Sequence, residues 1–330
     1  MRGPPGGGGG AVIALGPAGA TGSVALAVAG VGVAALAGAW VVGVLDDACG
    51  RAVAGRPLRL AEVAAAPLRR AALLVLQGRT TTERPDSPDL ALGAGMLGAL
   101  AATTLVIVPL SSRGAAGDVD SGIVLFGAAM ALVMVAVFLH GWSSNSVMPL
   151  VGGYRFVAQA LSYEMPLALV LIGVALPARS LAVGRIVASQ HGVWNVVRQP
   201  LGLPLFLVAG VGLAFWSPLD TPDAADLAGG TAVEAAGTAL LVWEASRALV
   251  LVAVAAMGAA AFLGGWQGPL LPGPVWVVGK TVALLVVLVA GGHVLARVRL
   301  ERFVVVAWAV LIPVALVDVF AGGVVALATR

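Results

Sequence analysis

The side chains able to handle protons in this chain are few, and several stand where charge is costly. Glu164 sits inside an apolar run at the end of HGWSSNSVMPLVGGYRFVAQALSYEMPL, residues 140–167, which gathers Trp, Ser, Asn, Arg, Gln, Tyr and Glu in a chain otherwise dominated by Ala, Val, Leu and Gly. In a helix starting near residue 156 it lies about eight residues, roughly 12 Å, into an apolar medium. An unpaired carboxylate at that depth holds a proton, meets a partner or faces water, and each state suits proton or substrate handling. The plainer alternative is a protonated Glu bonded to a neighbouring helix. Glu244 and Arg247, three residues apart, share a helix face. They read either as a neutral internal pair or as an acid whose proton affinity the guanidinium lowers. Lys280 and Asp318 are further charges in apolar runs, and Asp318 is near enough to the chain end to snorkel outward. The segment SPLDTPDAADLAGGTAVEAAG carries Asp220, Asp223, Asp226 and Glu234 without one basic residue. It is either a solvated acidic loop or the mouth of a cavity, and its spacing does not fit an EF-hand.

The elements holding these residues follow from composition. A mean hydropathy of +1.01, with 60% hydrophobic and 11% charged residues over 330 positions, excludes a water-soluble domain. Lipid cannot satisfy backbone polar groups and no ten-residue alternation is visible, so the spans are helices and the fold class is an all-α polytopic membrane protein. Apolar length and turn signals place eight spans, near residues 24–45, 90–112, 121–139, 156–176, 201–217, 238–262, 275–296 and 303–327, the fifth being the shortest. The Gly-rich stretch 1–20 reads as a flexible terminus and 21–330 as one transmembrane helical domain.

With eight spans both termini share a side. Loops 46–89, 140–155, 217–237 and 297–302 hold eleven Arg against six in the other loops and termini, which places the first set in the cytoplasm and both termini outside. In the first of these loops, RLAEVAAAPLRRAALLVLQ has the pattern of an amphipathic helix lying in the interface, kinked or restarted at Pro67, or of an ordinary surface helix between two spans. A sequence pI of 9.7 comes from scattered Arg without a dense basic run, so nucleic acid is not a partner. The single Cys49 and the well-separated His140, His191 and His293 offer no ligand set for zinc, an iron–sulfur cluster or paired haems; any redox centre belongs to a partner.

Four motifs in order give a resemblance: GWSSNS with LVGGYRFVAQALSYE, then VWNVVRQPLG, then PLDTPD followed by Glu234 and Gly237, then GGWQGPLLP. The chain resembles the H subunit of bacterial NADH-quinone oxidoreductase, respiratory complex I. The resemblance implies an eight-helix subunit in the bacterial plasma membrane that binds no cofactor itself, with quinone as substrate and FMN and iron–sulfur clusters in partner subunits. Soluble quinone-module subunits, other membrane subunits and lipid are the implied partners. By motif matching, Glu164, Asp220, Glu234 and Glu244 are implied in the proton path. Trp142, Ser143, Ser144, Asn145, Arg155, Asp223, Asp226 and Trp216 are implied in the quinone chamber or in docking. The chain also departs from the family: AGRPLRLAEV stands where Gly-Pro-Asn-Arg-x-Gly-Pro is usual, Leu213 and Trp216 align with a Glu and an Arg, and Trp308-Ala309 replaces a Trp-Lys pair. Because the acidic run is thinned, a structural membrane anchor of a hydrogenase-like or other oxidoreductase complex remains the alternative. A stand-alone transporter lacks support because no internal repeat is visible.

Overall fold

A computed structural model of the chain describes residues 19–78, 82–112, 119–224, 226 and 229–328. Most of the Gly-rich terminus, and with it Arg2, as well as Arg79, Arg113 and Arg330, lie outside the described residues. The elements in chain order are α1 (Gly19–Val53), α2 (Leu60–Leu76), α3 (Ser87–Ile107), α4 (Gly122–Ser143), α5 (Val147–Ala178), α6 (Val183–Ala188), α7 (Asn195–Arg198), α8 (Gly202–Leu213), α9 (Thr238–Phe262), α10 (Gly273–Val294), α11 (Leu300–Val306), a π-helical turn (Ala307–Leu311) and α12 (Ile312–Ala328). The chain is an all-helical, multi-pass membrane protein. Among the described residues seven helices are long and apolar enough to cross a membrane, the last running unbroken from α11 through α12.

The eighth apolar helix, α8, is shorter than the expected span of 201–217, because Ala214 and Phe215 turn the chain out of the helix. With 12 residues it rises about 18 Å, well short of a ~30 Å core. The expected loop at 140–155 also contracts. Helix α4 runs to Ser143 and α5 starts at Val147, so only three residues connect them. Ser143 and Ser144 bond back to the carbonyls of His140 and Gly141, and Asn145 turns the chain with φ 49°. A short polar side chain tolerates that left-handed conformation.

Helix α9 is the axis of the bundle. Its residues from Ala248 to Phe262 are buried all round against α1, α3, α8 and α10, as expected for a helix apolar on every side. Its run of Ala and Gly258 lets neighbouring helices approach closely. Helix α5 packs against α4, α8 and α12. Helix α2 lies on α1 and α9, passing through Pro67 without a break, with Val63 and Leu74 inward and Leu60, Leu68, Leu73 and Leu76 exposed. At one end of the bundle meet the turn after α4, the segment 214–237 and the α10–α11 connection; at the other meet α6, α7 and residues 263–272.

Candidate functional site

The described residues of segment 214–237 form turns and no helix of their own, and α5 and the α10–α11 connection hold them. Gly152 is the contact point: a Cβ there would stand 2.5 Å from Thr231 N and 2.6 Å from Pro222 O. One turn further along α5, Arg155 donates to Gly229 O at 2.9 Å, and Gln159, fully buried, donates from Nε2 to Gly212 O at 2.8 Å and Leu219 O at 3.0 Å. The small and polar residues in VGGYRFVAQ thus form one face that supports backbone which would otherwise lack partners. On the far side Val298 N donates to Pro218 O, and Arg297 bridges Asp220, with Nε at 2.7 Å, and Asp226, with Nη1 at 2.8 Å. Hydrogen bonds from Arg297 hold the Asp226 carboxyl below the ordinary range. The acidic loop therefore has a basic clamp, supplied from more than seventy residues away.

At the centre of the segment is Asp223, whose side chain is 8% exposed. Its Oδ1 accepts from Thr231 Oγ1 at 2.8 Å and Trp243 Nε1 at 3.3 Å, and its Oδ2 accepts from Arg247 Nη1 at 3.0 Å. Burial pushes its carboxyl above the ordinary range, and Arg247, Thr231 and Trp243 pull the other way. The guanidinium of Arg247 also donates to Phe215 O and lies 5.0 Å over the Phe215 ring and 4.8 Å over the Trp216 ring. A carboxylate, a guanidinium and an indole face thus share one partly dry site at the end of α9.

Beside this site a cavity of about 390 Å³ opens between α3, the end of α4 and residues 231–242. Its polar lining includes Thr82, Ser144, His140, Thr231 and Glu234. Glu234 Oε1 accepts from Ser146 Oγ at 3.1 Å. His140 is buried and its ring stacks on Trp243 with centroids 3.9 Å apart. A separate apolar groove of about 360 Å³ between α4 and α5 has Glu164 on its wall, with Ile123, Met130, Leu167 and Leu171.

A profile of the NADH dehydrogenase family matches residues 67–322, from Pro67 in α2 to Gly322 in α12. The chain belongs to the NADH dehydrogenase family. Similar relatives include the second of the NADH-quinone oxidoreductase H subunits of Rhodopseudomonas palustris, 37% identical over 235 residues, 70% of this chain and 74% of that one. Another is the second of the NADH-quinone oxidoreductase H subunits of Cereibacter sphaeroides, 37% identical over 214 residues, 64% of this chain and 67% of that one. These names favour the NADH-quinone oxidoreductase reading over the hydrogenase-like anchor.

Within this family member the residues singled out by sequence divide into groups. Asp223, Trp216, Asp220 and Asp226 come together in the 214–237 segment, with Arg155 at its edge; Ser144 and Glu234 share the cavity. Glu164 is apart, half-buried on its groove, with no hydrogen bond or ion pair among the described residues. Glu244 does not pair with Arg247. Arg70 of α2 holds it through Nε at 2.8 Å and Nη2 at 2.5 Å, because Arg247 is drawn to Asp223. Trp142 is 54% exposed beside Phe138, whereas the Ser143 hydroxyl is spent on its own helix and Asn145 bonds Glu83 O. Asp318 does not snorkel: it is 4% exposed, held among α12, α8 and Phe262. Sequence reasoning missed Thr231, His140, Trp243, Arg297 and Arg70 as parts of the site. His140, Trp243, Arg297 and Arg70 contribute through contacts distant in sequence and Thr231 through a turn of the segment itself, and none carries a local pattern that would reveal it.

Proposed function

We propose that this chain is the H-type membrane subunit of an NADH-quinone oxidoreductase, inactive alone, forming one wall of the quinone chamber and the start of a proton path. The observation that carries this reading is the Asp223–Arg247–Trp216 cluster, a titratable pair beside an aromatic face at one end of the bundle and next to a polar cavity. An indole face can pack against a quinone ring or tail, and a buried carboxylate with a displaceable guanidinium can take and release a proton. Glu164, Glu234, Glu244 and Asp220 are the further carboxylates of the proton path. Trp142, Ser144, Asn145, Arg155 and Asp226 line the chamber or the docking face, and Ser143, buried beneath the turn after α4, holds the end of the helix that carries Ser144 and Asn145. FMN and iron–sulfur clusters reside in soluble quinone-module partners, other membrane subunits continue the bundle, and the assembly sits in the bacterial plasma membrane with both termini outside.

The test is purification of the tagged chain with its partners, followed by quinone reduction and proton uptake in proteoliposomes. Co-purified flavin and iron–sulfur subunits, NADH-driven quinone reduction, and a lower proton-to-electron ratio in Glu164→Gln are expected. Gln keeps the shape of Glu but cannot release a proton at neutral pH. Recovery of a partner with nickel ligands, or of none, overturns the subunit assignment; an unchanged ratio in Glu164→Gln removes that residue from the path.

A further inference from the structure

Thr231 stands between two compartments. Its hydroxyl donates to Asp223 Oδ1 at 2.8 Å, and the same residue lines the 390 Å³ cavity. A hydroxyl that donates one bond keeps two acceptor lone pairs. His140 lines the same cavity and is 1% exposed. Its Nδ1 lies 3.4 Å from Leu90 O, a contact that requires the proton on Nδ1. The lone pair is then on Nε2, which has no partner among the described residues. Buried polar atoms are ordinarily satisfied, by ordered water where protein is absent. A cavity of this size with several polar groups on its wall has room for such waters.

We propose that this cavity holds a short water chain through which Asp223 exchanges protons with the Glu234 side, by way of the Thr231 hydroxyl, with His140 Nε2 as the acceptor that anchors the chain. The inference deepens the proton-path reading above and rests on it for its physiological use, but not for its geometry. In each transfer a cavity water gives one proton to Thr231 Oγ and is itself reprotonated along the chain from the Glu234 side, while the proton Thr231 held passes to Asp223 Oδ1; water and hydroxyl are both regenerated and one proton moves from the Glu234 side to Asp223. The charged or titratable groups facing this route are Arg247 from α9, Glu234 from the segment and His140 from α4; α3 contributes none to the cavity wall. The raised proton affinity of Asp223 agrees with its use as the receiving group.

The experiment is infrared spectroscopy of the assembled complex in lipid nanodiscs, with the Asp223 carboxyl band identified by its loss in Asp223→Asn. Its hydrogen–deuterium exchange is followed after transfer to heavy water at about pH 4. Thr231→Val, isosteric without the hydroxyl, is expected to slow exchange at least about tenfold, and His140→Phe, which keeps the stacked ring, several-fold; Thr231→Ser is expected to stay near the wild-type rate. Wild-type exchange in Thr231→Val overturns the proposal, as does a complex lacking any Asp223 carboxyl band. If Thr231→Val does not assemble, Thr231→Ser against His140→Phe decides, and equal rates in the two reject the chain. NADH–quinone turnover is read in parallel. An inactive complex with Thr231-dependent exchange rejects the proposed function and keeps the proton route, whereas an active one with unaltered exchange rejects the route alone.

Discussion

Asp223 and Arg247 depend on each other more than either depends on water. Their side chains are 8% and 19% exposed, so Arg247→Met strands a buried carboxylate, a change of the kind that costs about 3–5 kcal/mol. Asp223→Asn with Arg247→Met removes both charges and is expected to cost much less than the sum of the singles, read as a double-mutant cycle on thermal unfolding of the purified complex. The pH dependence has a definite sign. The folded carboxyl lies above its unfolded value, so on acidification the native state takes up this proton first. The Asp223-dependent part of stability therefore rises as pH falls from the raised value toward about 3.9, and is lowest at neutral pH. Comparing wild type with Asp223→Asn from neutral pH down to about 4 checks this. The same pair changes what Leu213 and Trp216 mean. Sequence comparison alone suggests that a facing Glu–Arg pair has been lost there. Instead Leu213 is fully buried, and the positive charge over the Trp216 ring comes from Arg247, one helix away. Trp216→Arg is thus expected to set two guanidinium groups against each other and lower complex yield, and Leu213→Glu to worsen it by burying a carboxylate. Rescue of one by the other, measured as yield, would show that the two positions do face each other.

Among the elements, α5 shows how much of the site sequence could reveal. Its polar stretch was legible as unusual, and the boundaries of α9 at Thr238 and Phe262 were legible outright, because long apolar runs ended by Gly or turn residues carry their own signal. Which way the polar face of α5 points was not legible, since it depends on a segment some seventy residues later lying against Gly152. That contact yields a contrast between adjacent glycines. A Cβ at Gly152 meets backbone atoms of Thr231 and Pro222 at 2.5 and 2.6 Å, whereas at Gly153 its nearest neighbour is the Phe138 ring at 3.5 Å. Gly152→Ala is expected to push the segment off α5 at a cost of about 1–3 kcal/mol, and Gly153→Ala to be nearly silent. Hydrogen exchange of residues 222–231 reads the difference, and equal protection in the two variants would mean that the segment does not rest on α5. At the other end of the bundle Lys280 ties α10 to the turn after α9. Its ammonium donates to the carbonyls of Leu263, Gly265 and Gln267 and lies over the rings of Trp194 and Trp276. Lys280→Met keeps the length and orphans the carbonyls, so thermal stability is expected to fall by several degrees.

Taken as one body, the chain sorts its charge between two ends, and this was the most legible property of all. Apolar length gave the all-helical class, but the fourth span begins nine residues earlier than expected, at Val147, and the fifth falls short, because a run of apolar residues does not disclose that Ala214 and Phe215 leave the helix. The two ends differ in kind. One carries the Arg297–Asp220–Asp226 clamp, the Arg247–Asp223 pair and the Arg70–Glu244 contact. The other holds the Lys280 ammonium among backbone carbonyls, a loose Arg185–Asp120 contact at 3.6 Å and a fully exposed Leu270. The proposed topology, argued from the Arg bias of the loops, sets the first end in the cytoplasm, where a soluble module would meet it. Single-cysteine labelling resolves the orientation, after Cys49→Ser removes the native thiol. Asp223 is too buried to report, so the probes belong at Asp226, whose side chain is 68% exposed, and at Leu270. A membrane-impermeant maleimide applied to intact cells is expected to modify Leu270→Cys and to spare Asp226→Cys until the membrane is opened. Asp226 lies on the proposed docking face, so its probe is read in cells lacking the soluble module, where failure of labelling reports sidedness rather than cover by a partner. The opposite pattern would invert the whole subunit, moving the clamp, the cavity and the Asp223 site to the outer face, where no cytoplasmic electron-transfer module could reach them.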